Sequence, residues 1–367
     1  MNQYQPLEPI GSGSFGIIRK VKRLSDGKYL ARKEIDYKKM TEKEKLQLVA
    51  EVNILRELRH PNIVRYYERM VDRENSMIYI IMEYCEGGDL SSVIRKCIKE
   101  KRYIPEDVIW NLLSQLIQAL NECHNSKSHS TILHRDIKPE NVFLDKCLNV
   151  KLGDFGLSRT IENPEVEFAK TYVGTPYYMS PELVDESHYN AKSDIWALGC
   201  LIYELSTLQP PFQSKSHSGL VTKIKMGKVP SIPNHFSRDL DIIIKSMFVV
   251  DYHQRPDAVE LMGHPRIRLA VKEQEMSGMR ERLRLKDDEL SRKSDMLDTR
   301  ERHLNEFEKQ LYQLQVQLEE REKHLVERES KSNLGLSGFS PMEVSPAPKL
   351  KVKSNLPLSP MSSRYVF

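Results

Sequence analysis

The sequence predicts an α+β fold of two lobes, a small β-rich N-lobe and a larger α-helical C-lobe, followed by a long coiled-coil helix and a disordered tail. Early segments such as 77–84 (MIYIIMEY) are continuous runs of apolar and β-branched residues, typical of a strand buried on both faces. Later segments such as 108–120 have apolar residues at helical spacing. We place the N-lobe at about 4–84, a hinge at 86–88 and the C-lobe at about 88–267.

Length and composition allow one large folded domain with additional material. The chain has 367 residues, 39% of them hydrophobic, and a net charge of only +4, so no basic excess points to nucleic acid. No apolar run approaches the ~20 residues of a membrane span, and we expect neither a nucleic-acid nor a membrane partner. The five cysteines lack metal-ligand spacing and are typical of reduced thiols in a cytosolic or nuclear protein. We see no signal or transit peptide, which favours a cytoplasmic location.

The first motif is Gly11-Ser12-Gly13-Ser14-Phe15-Gly16, with the pattern G-x-G-x-x-G. Glycine allows backbone N–H groups to approach phosphates closely. The pattern alone also fits a flexible turn, and a dinucleotide-binding unit would require a helix directly after it. Here Ile17 and Ile18 begin what looks like a returning strand, which predicts a β-hairpin flap over a nucleotide.

Lys33 ends the short run 30–33 (LARK). Because strand side chains alternate, Ala31 and Lys33 are predicted to share the face toward the nucleotide, while Arg32 points away. Lys33 then becomes the candidate cation for the α- and β-phosphates, although a surface lysine would look the same in isolation. Glu51, in a helical pattern, is the candidate partner that would hold Lys33 in place, unless it is one more solvated carboxylate.

Two strings decide between these interpretations: 134–141 (HRDIKPEN) and 154–156 (DFG). Asp136 is suited to accept the proton of a hydroxyl, and Lys138 to neutralise a transferring phosphoryl group. Asn141 and Asp154 supply oxygen ligands of the kind that Mg²⁺ prefers. The strings therefore predict transfer of the γ-phosphoryl group of ATP, with Mg²⁺, by positioning and charge neutralisation.

With these strings, residues 4–267 resemble the eukaryotic protein kinases. The resemblance implies their two-lobed fold, with Met82 as the gatekeeper and adenine bound by the backbone of Glu83 and Cys85. It implies a catalytic set of Asp136, Lys138, Lys33 and Glu51. It implies a nucleotide-binding set of Ile10, Gly11, Ser12, Gly13, Ser14, Phe15, Gly16, Ile18, Ala31, Lys33, Met82, Glu83, Cys85, Asn141 and Asp154, of which Asn141 and Asp154 also bind the metal.

The resemblance extends to architectural positions. Residues 180–182 (SPE) stand where the family has Ala-Pro-Glu, which implies a structural ion pair between Glu182 and Arg255. Residues 194–199 (DIWALG) match the helix that supports the catalytic loop.

Acceptor and regulatory residues follow from the same resemblance. Lys138 and 174–176 (GTP) are typical of serine/threonine kinases. Thr175 is expected to shape the acceptor pocket, with a phosphorylation site as its competing role. Arg135 offers a cation to a phosphate on the activation segment, and Thr171 is our first choice for that phosphate.

Longer stretches narrow the resemblance to the NIMA-related kinases. These stretches are 51–67, 82–90, 168–182 and 192–200. The sequence is most like the centrosome-associated member of that family, whose catalytic domain is also followed by a leucine zipper. The resemblance implies protein substrates and a mitotic role in centrosome, spindle or microtubule organisation. It also implies association with the centrosome or spindle pole, whereas a nuclear location is left open by the reduced cysteines alone.

Residues 271–329 have the pattern of a coiled coil or leucine zipper, with an apolar residue at every seventh position. The ladder is Met276, Leu283, Leu290, Leu297, Leu304, Leu311, Leu318 and Leu325. Its flanks are mostly acidic on one side and mostly basic on the other, which favours a parallel homodimer with pairing across the seam. A single solvated helix held by ion pairs one turn apart is the competing interpretation.

Two remaining segments are predicted to lack regular structure. The tail 330–367 is rich in serine and proline and is expected to be disordered, with Ser340, Ser345 and Ser359 as candidate sites for proline-directed kinases. The segment 124–131 (HNSKSHST) lacks metal-ligand spacing and is predicted to be a solvent-exposed loop.

The sequence as a whole predicts an active serine/threonine kinase. A pseudokinase-like scaffold that binds partners through its coiled coil is the alternative from another class, and a nucleotide sensor without transfer is a third. Both alternatives predict that at least one of Lys33, Asp136, Asn141 and Asp154 is missing, and all four are present.

Overall fold

A computed structural model describes residues 3–13, 16–38, 40–42, 45, 48, 52, 55–125, 131–153, 177–185 and 187–333. The chain divides into two compact units, Met1–Glu281 and Arg282–Phe367. The first unit begins with strands and continues with helices. This order confirms the predicted succession of a β-rich N-lobe and a helical C-lobe.

The N-lobe contains one five-stranded sheet. Its strands are β1 (Tyr4–Gly13), β2 (Gly16–Arg23), β3 (Tyr29–Asp36), β4 (Tyr66–Asp72) and β5 (Met77–Glu83). They lie in the order β1-β2-β3-β5-β4, with every neighbouring pair antiparallel. Between β3 and β4, the described residues 42, 45, 48, 52 and 55–57 are helical.

Apolar side chains cover both faces of this sheet. One buried cluster joins Tyr4, Val21, Leu30 and Ile81, and the other joins Ile35, Leu48, Val52 and Ile80. Within β5 only Ile80 and Ile81 are fully buried, and the remaining residues of the strand are half-buried. The strand is therefore buried on both faces at its middle, as predicted, and is half-buried at both ends because the two clusters cover only the middle of a small sheet.

The C-lobe consists of helices around a short hairpin. The helices are α1 (Leu90–Glu100), α2 (Glu106–Asn125), α3 (Pro181–Val184), α4 (Ala191–Thr207), α5 (His217–Met226), α6 (Arg238–Ser246), α7 (Ala258–Met262) and α8 (Pro265–Asn333). A 3₁₀ turn (Pro139–Asn141) leads into the hairpin of β6 (Val142–Leu144) and β7 (Val150–Leu152).

Helix α4 lies at the centre of the C-lobe core. It begins at Asn190, whose side chain accepts the Lys192 N–H and so satisfies one of the N–H groups that a helix start leaves unpaired. Trp196 is fully buried, stacked on Phe212 at 5.5 Å and edge-on to Phe248 at 5.2 Å between ring centroids. A helix that is apolar on nearly all sides is stable only inside such a core.

Helix α8 begins in the first unit, where Ile267 is fully buried and Gln118 Nε2 donates to Gln274 Oε1 at 3.2 Å. In the second unit, every described side chain from 282 to 330 is exposed, including the ladder leucines. The helix continues to Asn333, four residues into the segment predicted to be disordered. The tail serines lie outside the described residues, and the coiled-coil partner stays a prediction. Among the described helices, none has both the length and the apolar character needed to cross a membrane.

Candidate active site

The glycine motif lies in the hairpin of β1 and β2, as predicted. Gly11 pairs with Ile18, and Gly13 pairs with Gly16 at the tip. Gly16 has a φ of +148°, and a Cβ at this position would lie 1.8 Å from the Glu34 carbonyl oxygen. Only glycine allows β2 to pass so close to β3 there. Ser14 and Phe15 lie outside the described residues.

Strand register defines the side of the sheet that the sequence predicts to face the nucleotide. Ala31 and Lys33 are buried and Arg32 is half-buried, which confirms the predicted alternation along β3. Ala31 stands opposite Met82, and Lys33 stands opposite Ile18. Directly opposed residues of an antiparallel pair share a face, so these four side chains line one surface. Lys33 is only 6% exposed, and its candidate partner Glu51 lies outside the described residues.

The hinge follows β5. The Glu83 N–H donates to the Arg65 carbonyl at 2.8 Å, which fixes the backbone at the start of the hinge. Burial, reinforced by the Glu83 carboxylate, raises the pKa of the Cys85 thiol to about 12. Cys85 therefore stays protonated at neutral pH and presents an apolar side chain beside the proposed adenine pocket. The Glu83 carboxylate itself pairs with Lys151 at 2.8 Å.

The candidate catalytic carboxylate, Asp136, is contacted by two other predicted site residues. Lys138 Nζ donates to both of its carboxylate oxygens, at 2.9 and 2.8 Å. Asn141 Nδ2 donates to Asp136 Oδ2 at 2.7 Å and to the Asp136 carbonyl at 2.8 Å. The amide nitrogen of Asn141 is thus committed to Asp136, so the amide oxygen is the atom left to bind Mg²⁺.

His134 connects the catalytic loop to Gly153, the residue before the metal-ligand candidate Asp154. Its Nε2 donates to the Gly153 carbonyl at 3.0 Å, and its Nδ1 accepts the Asp136 N–H at 3.3 Å. The Gly153 N–H in turn donates to the Asn141 carbonyl at 3.0 Å. The backbone at Gly153 therefore lies beside Asn141. Asp154, the next residue, lies outside the described residues.

Asp194, at the start of α4, accepts hydrogen bonds from the backbone of the catalytic loop. Its Oδ2 accepts the His134 N–H and its Oδ1 the Arg135 N–H, both at 3.0 Å. Arg135 has a φ of +67°, a left-handed conformation that is unfavourable for a side chain with a Cβ, and the Asp194 contact stabilises it. Burial raises the pKa of the Asp194 carboxyl, but its contact with His124, the nearby His134 and the Tyr189 hydroxyl hold it below its usual value.

His124 corrects one sequence prediction. We predicted it as the first residue of a solvent-exposed loop, but it lies in the last turn of α2 and is only 7% exposed. Its Nε2 lies 2.7 Å from Asp194 Oδ2. The only local sequence signal for the burial of His124 is the apolar repeat of α2, which continues through Cys123. Residues 126–130 of the same segment lie outside the described residues.

The predicted structural ion pair is confirmed. Arg255 donates from two nitrogens to the two carboxylate oxygens of Glu182, at 2.9 and 3.0 Å, with both side chains inaccessible. Ser193 Oγ donates to the same carboxylate at 2.6 Å. The pair joins α3 to the loop before α7, and the hydrogen bonds from Ser193 and to the Lys192 carbonyl join both to α4. The regulatory candidates Thr171 and Thr175 lie outside the described residues.

Comparison with known proteins identifies the family of the chain. Residues 4–267 match the family model of the protein kinase domain. The chain is 53% identical over 281 residues to the serine/threonine-protein kinase Nek2 of Homo sapiens, covering 76% of the chain and 63% of that protein. It is 49% identical over 290 residues to the probable serine/threonine-protein kinase nek2 of Dictyostelium discoideum, covering 79% and 69%. It is 46% identical over 310 residues to the G2-specific protein kinase nimA of Emericella nidulans, covering 78% and 44%.

The fold and the family match define the class as a protein kinase, a family that uses ATP and Mg²⁺. The chain belongs to the NIMA-related serine/threonine kinases within that class. The chain spans about two thirds or less of the length of these relatives. What each whole relative does in the cell is therefore not transferred to this chain without further argument.

Proposed function

We propose that the chain transfers the γ-phosphoryl group of ATP to serine or threonine hydroxyls of protein substrates. The observation that carries this proposal is the arrangement around Asp136, whose carboxylate lies within 2.9 Å of both Lys138 Nζ and Asn141 Nδ2. A carboxylate held in this way has a fixed direction. It is therefore positioned to accept a hydroxyl proton without first losing side-chain freedom.

Each residue has a separate part in this mechanism. Asp136 aligns the acceptor hydroxyl, and Lys138, which reaches the same carboxylate, offers positive charge to the transferring group. Lys33, on the nucleotide-facing side of β3, is suited to hold the α- and β-phosphates. Asn141 and Asp154 are the proposed ligands of Mg²⁺, which neutralises charge on the phosphate oxygens when bound.

A labelling assay tests this function. The full chain is incubated with labelled ATP, Mg²⁺ and a generic protein substrate, followed by phosphoamino-acid analysis. We expect label on serine and threonine, reduced about 100- to 10,000-fold by Asp136→Ala and strongly by Lys33→Met. Asp107→Ala, at an exposed carboxylate in the first turn of α2, is the control and should label at the wild-type rate. Equal labelling by all variants would instead favour the scaffold alternative.

We further propose that this activity serves the cell cycle at the centrosome or spindle pole. The names of the relatives, Nek2 and G2-specific protein kinase nimA, support a cell-cycle role. Location at the centrosome is the more specific part of the proposal. It rests on the resemblance of stretches of the catalytic domain to the centrosome-associated NIMA-related kinase. Localisation of the tagged full chain through mitosis tests it, and a uniform distribution in all phases would contradict it.

Homodimerisation through α8 is the proposed assembly. The ladder leucines are more than half exposed along the described helix, and a seven-residue apolar period is the pattern of a two-stranded seam. Sedimentation of the full chain should give a dimer that Leu297→Glu weakens. Met296→Glu is the matched control, because Met296 adjoins the ladder but does not belong to it and is 73% exposed. If the wild-type chain sedimented as a monomer at micromolar concentration, the proposed homodimer would be contradicted.

Phosphorylation of Thr171 is the proposed activating event, made in trans by the second copy in the dimer. Arg135 precedes Asp136 and supplies a cation for the phosphate. Thr171→Ala should lower activity on a protein substrate, whereas Thr160→Ala should not. Full activity of Thr171→Ala would contradict this proposal while leaving the proposed reaction intact.

A further inference from the structure

One ammonium group connects three separate segments of the N-lobe. Lys20 Nζ lies 4.7 Å from the centroid of the Tyr29 ring on β3 and 4.6 Å from that of Tyr84 in the hinge. It also lies 3.9 Å from the Glu8 carboxylate on β1. An ammonium over the face of a tyrosine ring is attracted by the ring electrons. The Lys20 side chain is only 21% exposed, so solvent screens these attractions incompletely.

Strand register places Lys20 on the nucleotide-facing side of the sheet. Lys20 stands directly opposite Ala31, just as Ile18 stands opposite Lys33. Opposed residues of an antiparallel pair share a face, so Lys20 belongs to the surface that contains Ala31 and Lys33. Lys20 lies at the hinge end of that surface, because Leu30, next to Ala31, is already paired with Glu83.

Tyr84 connects the Lys20 contact to nucleotide binding. It lies between Glu83 and Cys85, whose backbone is the proposed partner of adenine. Lys20 touches neither residue through a described contact, but it holds the side chain between them against β2 and β3. Fixing the distance between the sheet and the hinge before the ligand arrives lowers the ordering cost of binding.

We propose that Lys20 is a positioning residue for the adenine end of the nucleotide, acting through Tyr84 and Tyr29. This inference rests on the proposed function, because it assumes that the nucleotide occupies the surface formed by Ala31 and Lys33. It predicts an effect on nucleotide affinity and none on the transfer step, since Asp136 lies outside the contacts of Lys20.

Calorimetric titration of the full chain with Mg·ADP and with adenosine tests the inference. Lys20→Met should raise the Kd of both ligands by a similar factor, about threefold to tenfold, because only the adenine end is affected. Lys20→Arg keeps a cation over both rings and should restore the wild-type Kd. Tyr29→Leu removes one ring and should give an intermediate Kd. In steady-state assays, Lys20→Met should raise KM for ATP without changing kcat.

Lys22 provides the matched control. It lies two residues along the same strand and on the same face, but within the described residues its ammonium contacts neither a ring nor a carboxylate. Lys22→Met should therefore bind both ligands as the wild type does. The inference is overturned if Lys20→Met binds with wild-type Kd, if Lys20→Arg is weakened as much as Lys20→Met, or if kcat falls instead. If the wild-type chain itself bound neither ligand, the proposed function would fail together with the inference about Lys20. The failure of the inference alone is therefore distinguishable from the failure of the proposed function.

Discussion

His124 and Asp194 are hydrogen-bonded in the interior of the C-lobe, with His124 Nε2 2.7 Å from Asp194 Oδ2. Both side chains are nearly inaccessible to solvent. The same carboxylate accepts the N–H groups of His134 and Arg135. The end of α2 is therefore joined, through the first turn of α4, to the loop that presents Asp136.

Replacement of His124 by leucine should destabilise the fold. The Asp194 carboxylate would stay buried with one fewer hydrogen-bond partner, and the loss of such a partner by a buried polar group costs about 1 to 3 kcal/mol of unfolding free energy. Urea unfolding of His124→Leu at neutral pH measures this loss. His253→Leu, at an exposed histidine, should change the unfolding free energy by less than about 0.5 kcal/mol. A loss below about 0.5 kcal/mol for His124→Leu, no larger than that of the surface control, would mean that the hydrogen bond is not formed in solution.

The Glu182 and Arg255 pair should make stability depend on acid. Burial raises the pKa of Glu182, but the hydrogen bonds from Arg255 and Ser193 and the charge of Arg255 hold it below its usual value of 4.5. A folded-state pKa below the unfolded value means that the unfolded chain binds more protons in this range. The stabilisation is therefore complete above pH 4.5 and is lost as the pH falls through the folded-state pKa.

Unfolding free energies measured by urea from pH 7 down to pH 3.5 test this dependence. Glu182→Gln should lower stability at neutral pH by about 3 kcal/mol, since Arg255 is left buried without its counterion. It should also flatten the decline below pH 4.5. Glu57→Gln, at an exposed carboxylate, should keep the wild-type slope. An unchanged slope in Glu182→Gln would contradict the assignment of the acid dependence to this pair.

The parts of the site that the sequence could predict depend on short-range periodicity or on motif order. Alternation along β3 was sufficient to place Ala31 and Lys33 on one face. The pairing of Glu182 with Arg255 followed from the resemblance, because the order of the motifs carries that long-range information.

The parts that the sequence could not predict depend on residues far apart in the chain. The segment after Cys123 is polar, so its pattern gave no reason to bury His124. The reason is Asp194, which lies 70 positions later. Asn141 was predicted as a metal ligand, but its two hydrogen bonds to Asp136 depend on the 3₁₀ turn between them. The contact of Lys20 with Tyr84 likewise depends on how the hinge returns to β2.

A methyl group at Gly16 should move the flap away from the nucleotide. A Cβ would lie 1.8 Å from the Glu34 carbonyl oxygen, so β2 must separate from β3 at the hairpin tip. Strain of this kind costs about 1 to 3 kcal/mol, and we expect Gly16→Ala to raise KM for ATP about tenfold. Gly278→Ala should leave KM unchanged, because a Cβ at Gly278 meets no atom within 4 Å. A wild-type KM in Gly16→Ala would show that the flap tolerates the separation.

Replacement of Asn141 by aspartate should disable the catalytic carboxylate without changing the size of the side chain. Asn141 Nδ2 donates to Asp136 Oδ2 at 2.7 Å, and the replacement puts a second carboxylate at that distance. Two carboxylates sharing a site cannot both ionise easily, so one pKa of the pair rises. We expect kcat at neutral pH to fall about 100- to 10,000-fold and the activity that remains to increase toward higher pH.

Asn149→Asp is the matched control for this replacement. Asn149 Nδ2 donates to Asp145 Oδ2 at 3.0 Å in the turn between β6 and β7, so the same change creates the same like-charge contact away from Asp136. Asn149→Asp should lower stability and leave kcat and its pH profile as in the wild type. If Asn141→Asp kept the wild-type kcat and pH profile, the amide of Asn141 would not contact Asp136 in the active enzyme. The orientation of the catalytic carboxylate would then need another source.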